Sequence, residues 1–191
     1  MRALMALALG AALAAPAYAG WTLDNDASRI NFVSTKANAA AEVHTFGTLD
    51  GQVDDEGNAT LSIDLNTVDT AIEIRDERMR SMLFETEQFP TATLAATVDM
   101  AVVSRLGAGD TADLTTEGQL MVHGTTSSIT FDISVSRLTD DRILVASRKP
   151  IIVNASQVGL LAGVEALREI AGLPSISPAV PVSFVLAFDQ D

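Results

Sequence analysis

The chain has 191 residues, enough for one domain with a substantial core, and its 25 acidic and 12 basic residues give a formal charge of −13. An acidic surface of this kind repels nucleic acid and anionic membrane surfaces, so we expect no nucleic-acid partner. Because the chain has no cysteine, disulfides and thiolate metal sites are excluded, and the fold must be stabilised by its own core.

Residues 1–19 have the pattern of an export signal. Arg2 supplies a positive start, Leu4 to Leu13 is an apolar run, and Ala17-Tyr18-Ala19 fits the small-x-small cleavage pattern. The run is shorter than the roughly 20 apolar residues that cross a bilayer, so we expect no transmembrane anchor. The sequence therefore predicts a signal peptide over 1–19, secretion into a bacterial periplasm, and a single mature domain over 20–191.

From Trp21 onward, apolar and polar residues alternate with the period of half-buried antiparallel strands. Clusters of Asp, Gly, Asn and Thr separate the runs and predict turns. Roughly eight to ten strands of this kind favour an all-β sandwich or barrel. The residues that share a face within each run are Ile30 and Phe32; Val43, Thr45, Gly47, Leu49, Gly51 and Val53; Ala59, Leu61, Ile63 and Leu65; Leu94, Ala96, Val98 and Met100; Leu114, Gly118, Leu120 and Val122; Ile129, Phe131, Ile133 and Val135; and Val182, Phe184, Leu186 and Phe188.

Two segments depart from this alternation and predict short helices. The first, at about 75–83, places Arg75, Met79, Met82 and Leu83 on one side by helical spacing. It is either a crossover helix that plugs the end of the barrel or the adaptable edge of a ligand cavity, since methionine fills irregular apolar gaps. The second, at about 163–171, has an apolar side and is followed by the stop signals Gly172 and Pro174.

The composition of the inward faces leaves open whether the interior is solid or hollow. Aromatic residues are few, with seven Phe, one Trp and one Tyr, whereas aliphatic residues are abundant. A smooth aliphatic lining suits a flexible hydrocarbon guest and equally suits an ordinary core.

The polar residues show no pattern typical of catalysis or metal binding. His44 and His123 are the two histidines, and neither has the spacing of a zinc site. The sequence has no G-x-S-x-G elbow and no glycine-rich phosphate loop. We therefore expect no catalytic residue, no metal site and no cofactor.

Several motifs resemble the YceI-like family of small periplasmic lipocalin-like barrels. They are "WTLDNDASRINF", "FGTLDG", "GQLMVHGTTSSITF" and, as the most specific part, "NTVDTAIEIRDERMRSMLFETEQFPTATL". Within the last, Val68-Asp69-Thr70, Arg75-Asp76 and Phe89-Pro90 fall at the family's spacing. His44 departs from the family, which commonly has a glycine there.

The resemblance implies an antiparallel lipocalin-like β-barrel whose Arg-Asp helix covers an elongated apolar tunnel that holds an isoprenoid or other long-chain lipid. On that basis we expect a non-enzymatic periplasmic carrier with His44 and Arg75 at the mouth, although Arg75 could instead be a structural ion-pair partner. The alternative is a barrel without ligand that acts through its acidic surface, and homodimer formation is left open. The expected wall residues are Ile30, Phe32, Leu61, Ile63, Met79, Leu83, Leu94, Leu120, Val122, Phe131, Ile133, Phe184 and Leu186.

Overall fold

The alternating runs form antiparallel strands in the computed structural model, which describes residues 20–37 and 39–191. The predicted signal peptide, residues 1–19, lies outside the described residues. The strands are β1 (Trp21–Lys36), β2 (Ala40–Phe46), β3 (Leu49–Val53), β4 (Asn58–Asp64), β5 (Val68–Asp69), β6 (Thr91–Thr97), β7 (Thr111–Val122), β8 (Thr125–Thr139), β9 (Arg142–Ser147), β10 (Ile151–Asn154) and β11 (Ala179–Gln190).

The strands close into an eight-stranded antiparallel barrel. Neighbours around the barrel are β1, β3, β4, β6, β7, β8, β9 and β11, and the pairing of β11 with β1 completes the ring. Strand β2 continues the edge of β1 beyond β3 and carries the short β5, while β10 extends the edge of β11. The structure thus confirms the predicted lipocalin-like barrel and excludes the open sandwich.

The seam between β1 and β11 contains an irregularity that polar side chains repair. Pairing is interrupted between Asp24 and Arg29, and the buried Ser28 fills the gap. Its hydroxyl accepts a hydrogen bond from the Ala187 amide at 3.0 Å and donates to the Asp24 carbonyl at 2.7 Å. Arg142 then bridges Asp24 and Asp189 with N–O distances of 2.6 Å, so that one side chain of β9 ties β1 and β11 together.

Both predicted helices are present, with ends within two residues of the predicted ones. The first consists of α1 (Glu73–Arg78) followed by a π-helical turn over Met79–Leu83, in which the Phe84 amide donates to the Met79 carbonyl at 2.9 Å. The second is α3 (Leu161–Ile170). None of the helices among the described residues is both long and apolar enough to cross a membrane.

One helix was not predicted. The alternation from Leu94 to Met100 predicts a strand throughout, but β6 ends at Thr97 and Met100–Val103 forms a short helix, α2. The Asp99 carboxylate caps it by accepting a hydrogen bond from the Ala101 amide at 2.9 Å, which favours helix over strand at this point. The predicted strand face at Met100 is therefore wrong, and Val103 is buried in its place.

The predicted register of β2 is also wrong, for a reason that matters for the site. The sequence predicts one continuous face from Val43 to Val53, but the strand breaks at Gly47 and Thr48. After the break Leu49 and Val53 face inward as expected, whereas before it Val43 is 67% exposed and its neighbour His44 is buried. Since side chains alternate sides, a break of this kind reverses which residues of β2 face the interior.

Substitutions at two adjacent positions of β8 test the strand register. Phe131 is buried among core residues and Thr130 is exposed. An unpaired carboxylate at the buried site costs about several kcal/mol, so we expect Phe131→Asp to prevent stable folding. Thr130→Asp should change the free energy of unfolding by roughly 1 kcal/mol or less. Urea denaturation followed by circular dichroism checks both, and equal effects would contradict the assigned register.

Candidate functional site

The barrel interior contains two adjoining cavities beneath the helices. The outer one, here the mouth cavity, has a volume of about 190 Å³, and the inner cavity has a volume of about 170 Å³. They share Phe32, Leu83, Val164 and Val180 as lining residues, so they lie next to each other, and together they are here named the apolar path. All residues that line the inner cavity are apolar.

Both helical segments form the roof of this path. The π-helical turn directs Met79 and Leu83 inward, where both are buried. Helix α3 crosses this turn closely at Gly163. A Cβ atom on this residue would lie only 2.8 Å from the Leu83 Cα atom and from the Met82 carbonyl oxygen. Only glycine permits this approach, which brings Val164 over Leu83.

The structure divides the residues predicted from the sequence into two groups. Nine line the mouth or inner cavity: Ile30, Phe32, His44, Ile63, Arg75, Met79, Leu83, Leu120 and Val122. The other six surround a separate cavity of about 70 Å³ toward the opposite end of the barrel: Leu61, Leu94, Phe131, Ile133, Phe184 and Leu186. Contact of either group with a bound molecule stays a prediction.

Residues of α3 and of the segment after it were missed as site residues. Val164, Leu167 and Ile170 line the mouth cavity, and Leu173, Ile176 and Val180 follow them along the rim. The signal was present in the sequence, because the apolar side of a short amphipathic helix has to cover something apolar. What the sequence does not show is that this side covers a cavity.

Arg75 holds the roof to the barrel. Its guanidinium donates to the Thr70 hydroxyl at 2.7 Å, to the Thr70 carbonyl at 2.6 Å and to the Glu42 carboxylate of β2 at 2.6 Å. The carboxylate of Asp76 accepts from the amide and the hydroxyl of the same threonine at 2.9 Å and 2.5 Å. Arg75 thus forms an ion pair, as the structural alternative has it, and it also lines the mouth cavity, where contact with a ligand stays a prediction.

His44 is a buried, neutral polar group in the wall of the mouth. The Phe32 ring lies 5.2 Å from it between centroids, and its Nε2 atom lies 2.8 Å from the Ser34 hydroxyl. Burial lowers the pKa of His44 below its ordinary 6.5, and the positive charge of Arg75 lowers it further. Among the described residues, Nδ1 has no hydrogen-bond partner, so no carboxylate orients this imidazole as a catalytic triad requires.

His123 lies elsewhere, at the turn between β7 and β8. Its Nε2 atom is 2.5 Å from the Glu85 carboxylate, and its ring is 4.4 Å from that of Phe89. Within residues 20–37 and 39–191 the two histidines are not joined with carboxylates into a group of three or more that could hold a metal ion.

Comparison with known proteins places this architecture in a family. The YceI-like domain model matches residues 21–188. A sequence search of curated proteins found no match.

Solved structures share the fold. A polyisoprenoid binding domain from Saccharophagus degradans, implicated in plant cell wall breakdown, is 40% identical, with a TM-score of 0.88 over 91% of this chain and 99% of that chain. BcnA from Burkholderia cenocepacia is 16% identical, with a TM-score of 0.68 over 86% of this chain and 98% of that chain. At that lower identity the similarity shows the fold alone.

The buried imidazole predicts a pH dependence of stability. The pKa of His44 in the folded state is depressed, so as the pH falls below about 6.5 the unfolded chain takes up a proton first. Neutral His44 therefore makes its full contribution to the free energy of unfolding above that pH. The contribution decreases as the pH falls below it. We expect the wild type to lose stability relative to His44→Gln between about pH 7.5 and about pH 5.5.

Urea denaturation at several pH values measures this difference. His123→Gln is the control, because it removes the other histidine and retains His44, so the loss of stability that depends on His44 should remain. Parallel pH profiles for the wild type and His44→Gln would contradict the assignment.

Proposed function

We propose that this chain, which belongs to the YceI-like domain family, binds a long-chain, isoprenoid-like amphiphilic lipid in the barrel. It carries or sequesters this lipid in the periplasm. The tail occupies the inner cavity and the head lies at the mouth. The protein binds this molecule non-covalently and does not transform it.

The pair of adjoining cavities is the observation that carries the proposal. Four residues line both the mouth cavity and an inner cavity whose lining is entirely apolar. Each methylene group transferred there from water contributes about 0.8 kcal/mol before the entropic costs of binding. A chain of modest length is therefore held tightly without any polar contact along the tail.

The relative from Saccharophagus degradans supports the class of ligand. It is a polyisoprenoid binding domain, and it is 40% identical with a TM-score of 0.88 over 91% of this chain.

A binding role fits the mouth better than hydrolysis does. Ser34 and His44 form a hydrogen-bonded pair, but the imidazole has no orienting carboxylate among the described residues. Its lowered pKa also makes it a weak base near neutral pH.

Co-purification tests the function and the export together. The protein is expressed with residues 1–191, isolated from the periplasm and divided between intact-mass measurement and solvent extraction. We expect a chain that begins at Gly20 or Trp21 and a near-stoichiometric amount of a prenyl or other long-chain lipid in the extract. Retention of residues 1–19 would contradict export cleavage. An empty extract, together with failure of delipidated protein to bind added prenyl lipid, would contradict the carrier role and favour a barrel acting through its acidic surface.

Truncation of the roof separates a ligand cavity from a filled core. In Met79→Ala and Leu83→Ala the lost side chains border space that already exists, so lipid-free protein should lose less than the roughly 2–5 kcal/mol typical of core truncations. Affinity for a fluorescent prenyl lipid should fall by about tenfold, because the tail loses wall contacts. Thermal unfolding of delipidated protein and fluorescence titration measure the two effects.

The controls are a truncation away from the cavities and two substitutions that change side-chain shape but not volume. Ile143 is a core residue that lines none of the three cavities. Ile143→Ala should therefore lower the free energy of unfolding by the roughly 2–5 kcal/mol typical of core truncations and leave the affinity for the prenyl lipid unchanged. Met79→Leu and Leu83→Met conserve volume and should cost less than about 1.5 kcal/mol. A large loss of lipid-free stability with unchanged affinity in the alanine variants would show that the roof only fills a core.

A further inference from the structure

The rim of the mouth cavity is cationic. Lys36, Arg75 and Arg78 line it, and no Asp or Glu does so. These are three of only 12 basic residues in a chain of net charge −13. They give the rim a charge opposite in sign to that of the chain as a whole.

Neighbouring carboxylates neutralise this rim only in part. One Glu42 oxygen accepts from both Lys36 Nζ at 2.5 Å and Arg75 Nη1 at 2.6 Å, so two cations share a single negative charge. Asp76 lies behind Arg75 and its carboxylate is committed to Thr70. Arg78 takes part in none of these contacts.

Arg78 is the available donor of the rim. It is half-buried at the end of α1 and borders the same cavity as Met79 and Leu83. Its side chain makes no hydrogen bond or ion pair with any other residue in the described part of the chain. A guanidinium presents five N–H donors in a planar fork that matches two oxygens of a carboxylate or phosphate.

We propose that the lipid is selected by an anionic head, a carboxylate or a phosphate monoester, which binds to Arg78 at the rim while its tail enters the apolar path. This inference rests on the proposed lipid-binding function and adds the class of head group. The overall negative charge does not prevent it, because charges farther away than about 8–10 Å are screened at physiological ionic strength. Ser34 and His44, which are hydrogen-bonded to each other, add no charge to this binding site, so the guanidinium is the group that binds the anion.

Lipids matched in tail but not in head test the proposal on delipidated mature protein. Farnesyl phosphate is compared with farnesol, and hexadecanoate with hexadecanol, by displacement of the neutral dye N-phenyl-1-naphthylamine. Inorganic phosphate alone is the third arm. We expect each anion to bind about tenfold or more tightly than its alcohol, a preference that shrinks as salt is raised, and inorganic phosphate to displace no dye.

Two variants assign the effect to one side chain. Arg78→Gln should reduce the preference for the anion to about twofold or less while leaving the affinity for the alcohols nearly unchanged. Arg80→Gln is the matched control, since Arg80 lies two residues farther along and does not line the cavity. It should keep the wild-type preference.

The outcomes distinguish this inference from the function on which it rests. Equal affinities for anion and alcohol, or an Arg78→Gln variant that weakens both equally, would overturn the anionic head and leave lipid binding intact. Displacement by inorganic phosphate at the concentration where farnesyl phosphate acts would also overturn it, because the site would then not need a tail. Binding of none of the lipids would overturn the proposed function itself.

Discussion

The pairing of β1 with β11 is the constraint on which the rest of the structure depends. It closes the sheet at eight strands, and a barrel of that size is wide enough to be filled by side chains or to hold one small ligand. Which of the two occurs depends on the size of the inward residues. Trp21, Phe131, Phe184 and Phe188 occupy one end, whereas the other end is lined mainly by aliphatic residues and leaves two cavities. A single closed sheet therefore leaves cavities of about 190 Å³ and 170 Å³ at one end and a smaller cavity of about 70 Å³ toward the other.

The polar character of the mouth results from a break in the backbone. If β2 ran into β3 without interruption, Val43 would face inward and His44 would face solvent. The break at Gly47 and Thr48 reverses this, so that the buried imidazole borders the cavity and Val43 is exposed. Glu42 on the same strand then meets Arg75 and Lys36. One irregularity in an edge segment thus sets both the neutral wall and the charged rim of the opening.

The parts of the fold that could be predicted from sequence are those governed by local periodicity. The inward faces of β1, β4, β7, β8 and β11 and the two longer helices follow directly from the spacing of apolar residues. The register of β2 could not be predicted, because alternation continues through the break and only the pairing with β1 decides it. Helix α2 could not be predicted from periodicity, because its sequence alternates as in a strand while the Asp99 carboxylate caps the first turn of a helix. The charged rim depends on Glu42 and Arg75, 33 positions apart in the chain, and local patterns do not show contacts of that kind.

The way the roof is attached explains how a barrel end that contains cavities can be covered. In an ordinary core a helix is held by the side chains packed beneath it, and an empty space there is costly. Here α1 is also held from its polar side, because Arg75 and Asp76 both bind Thr70 and Arg75 reaches Glu42. Gly163 lets α3 rest directly on the backbone of the π-helical turn. Since these contacts join protein groups to one another, the roof does not depend on a bound molecule for its attachment. A site formed in advance spares a ligand the cost of ordering it, so that more of the energy from burying apolar surface appears as affinity.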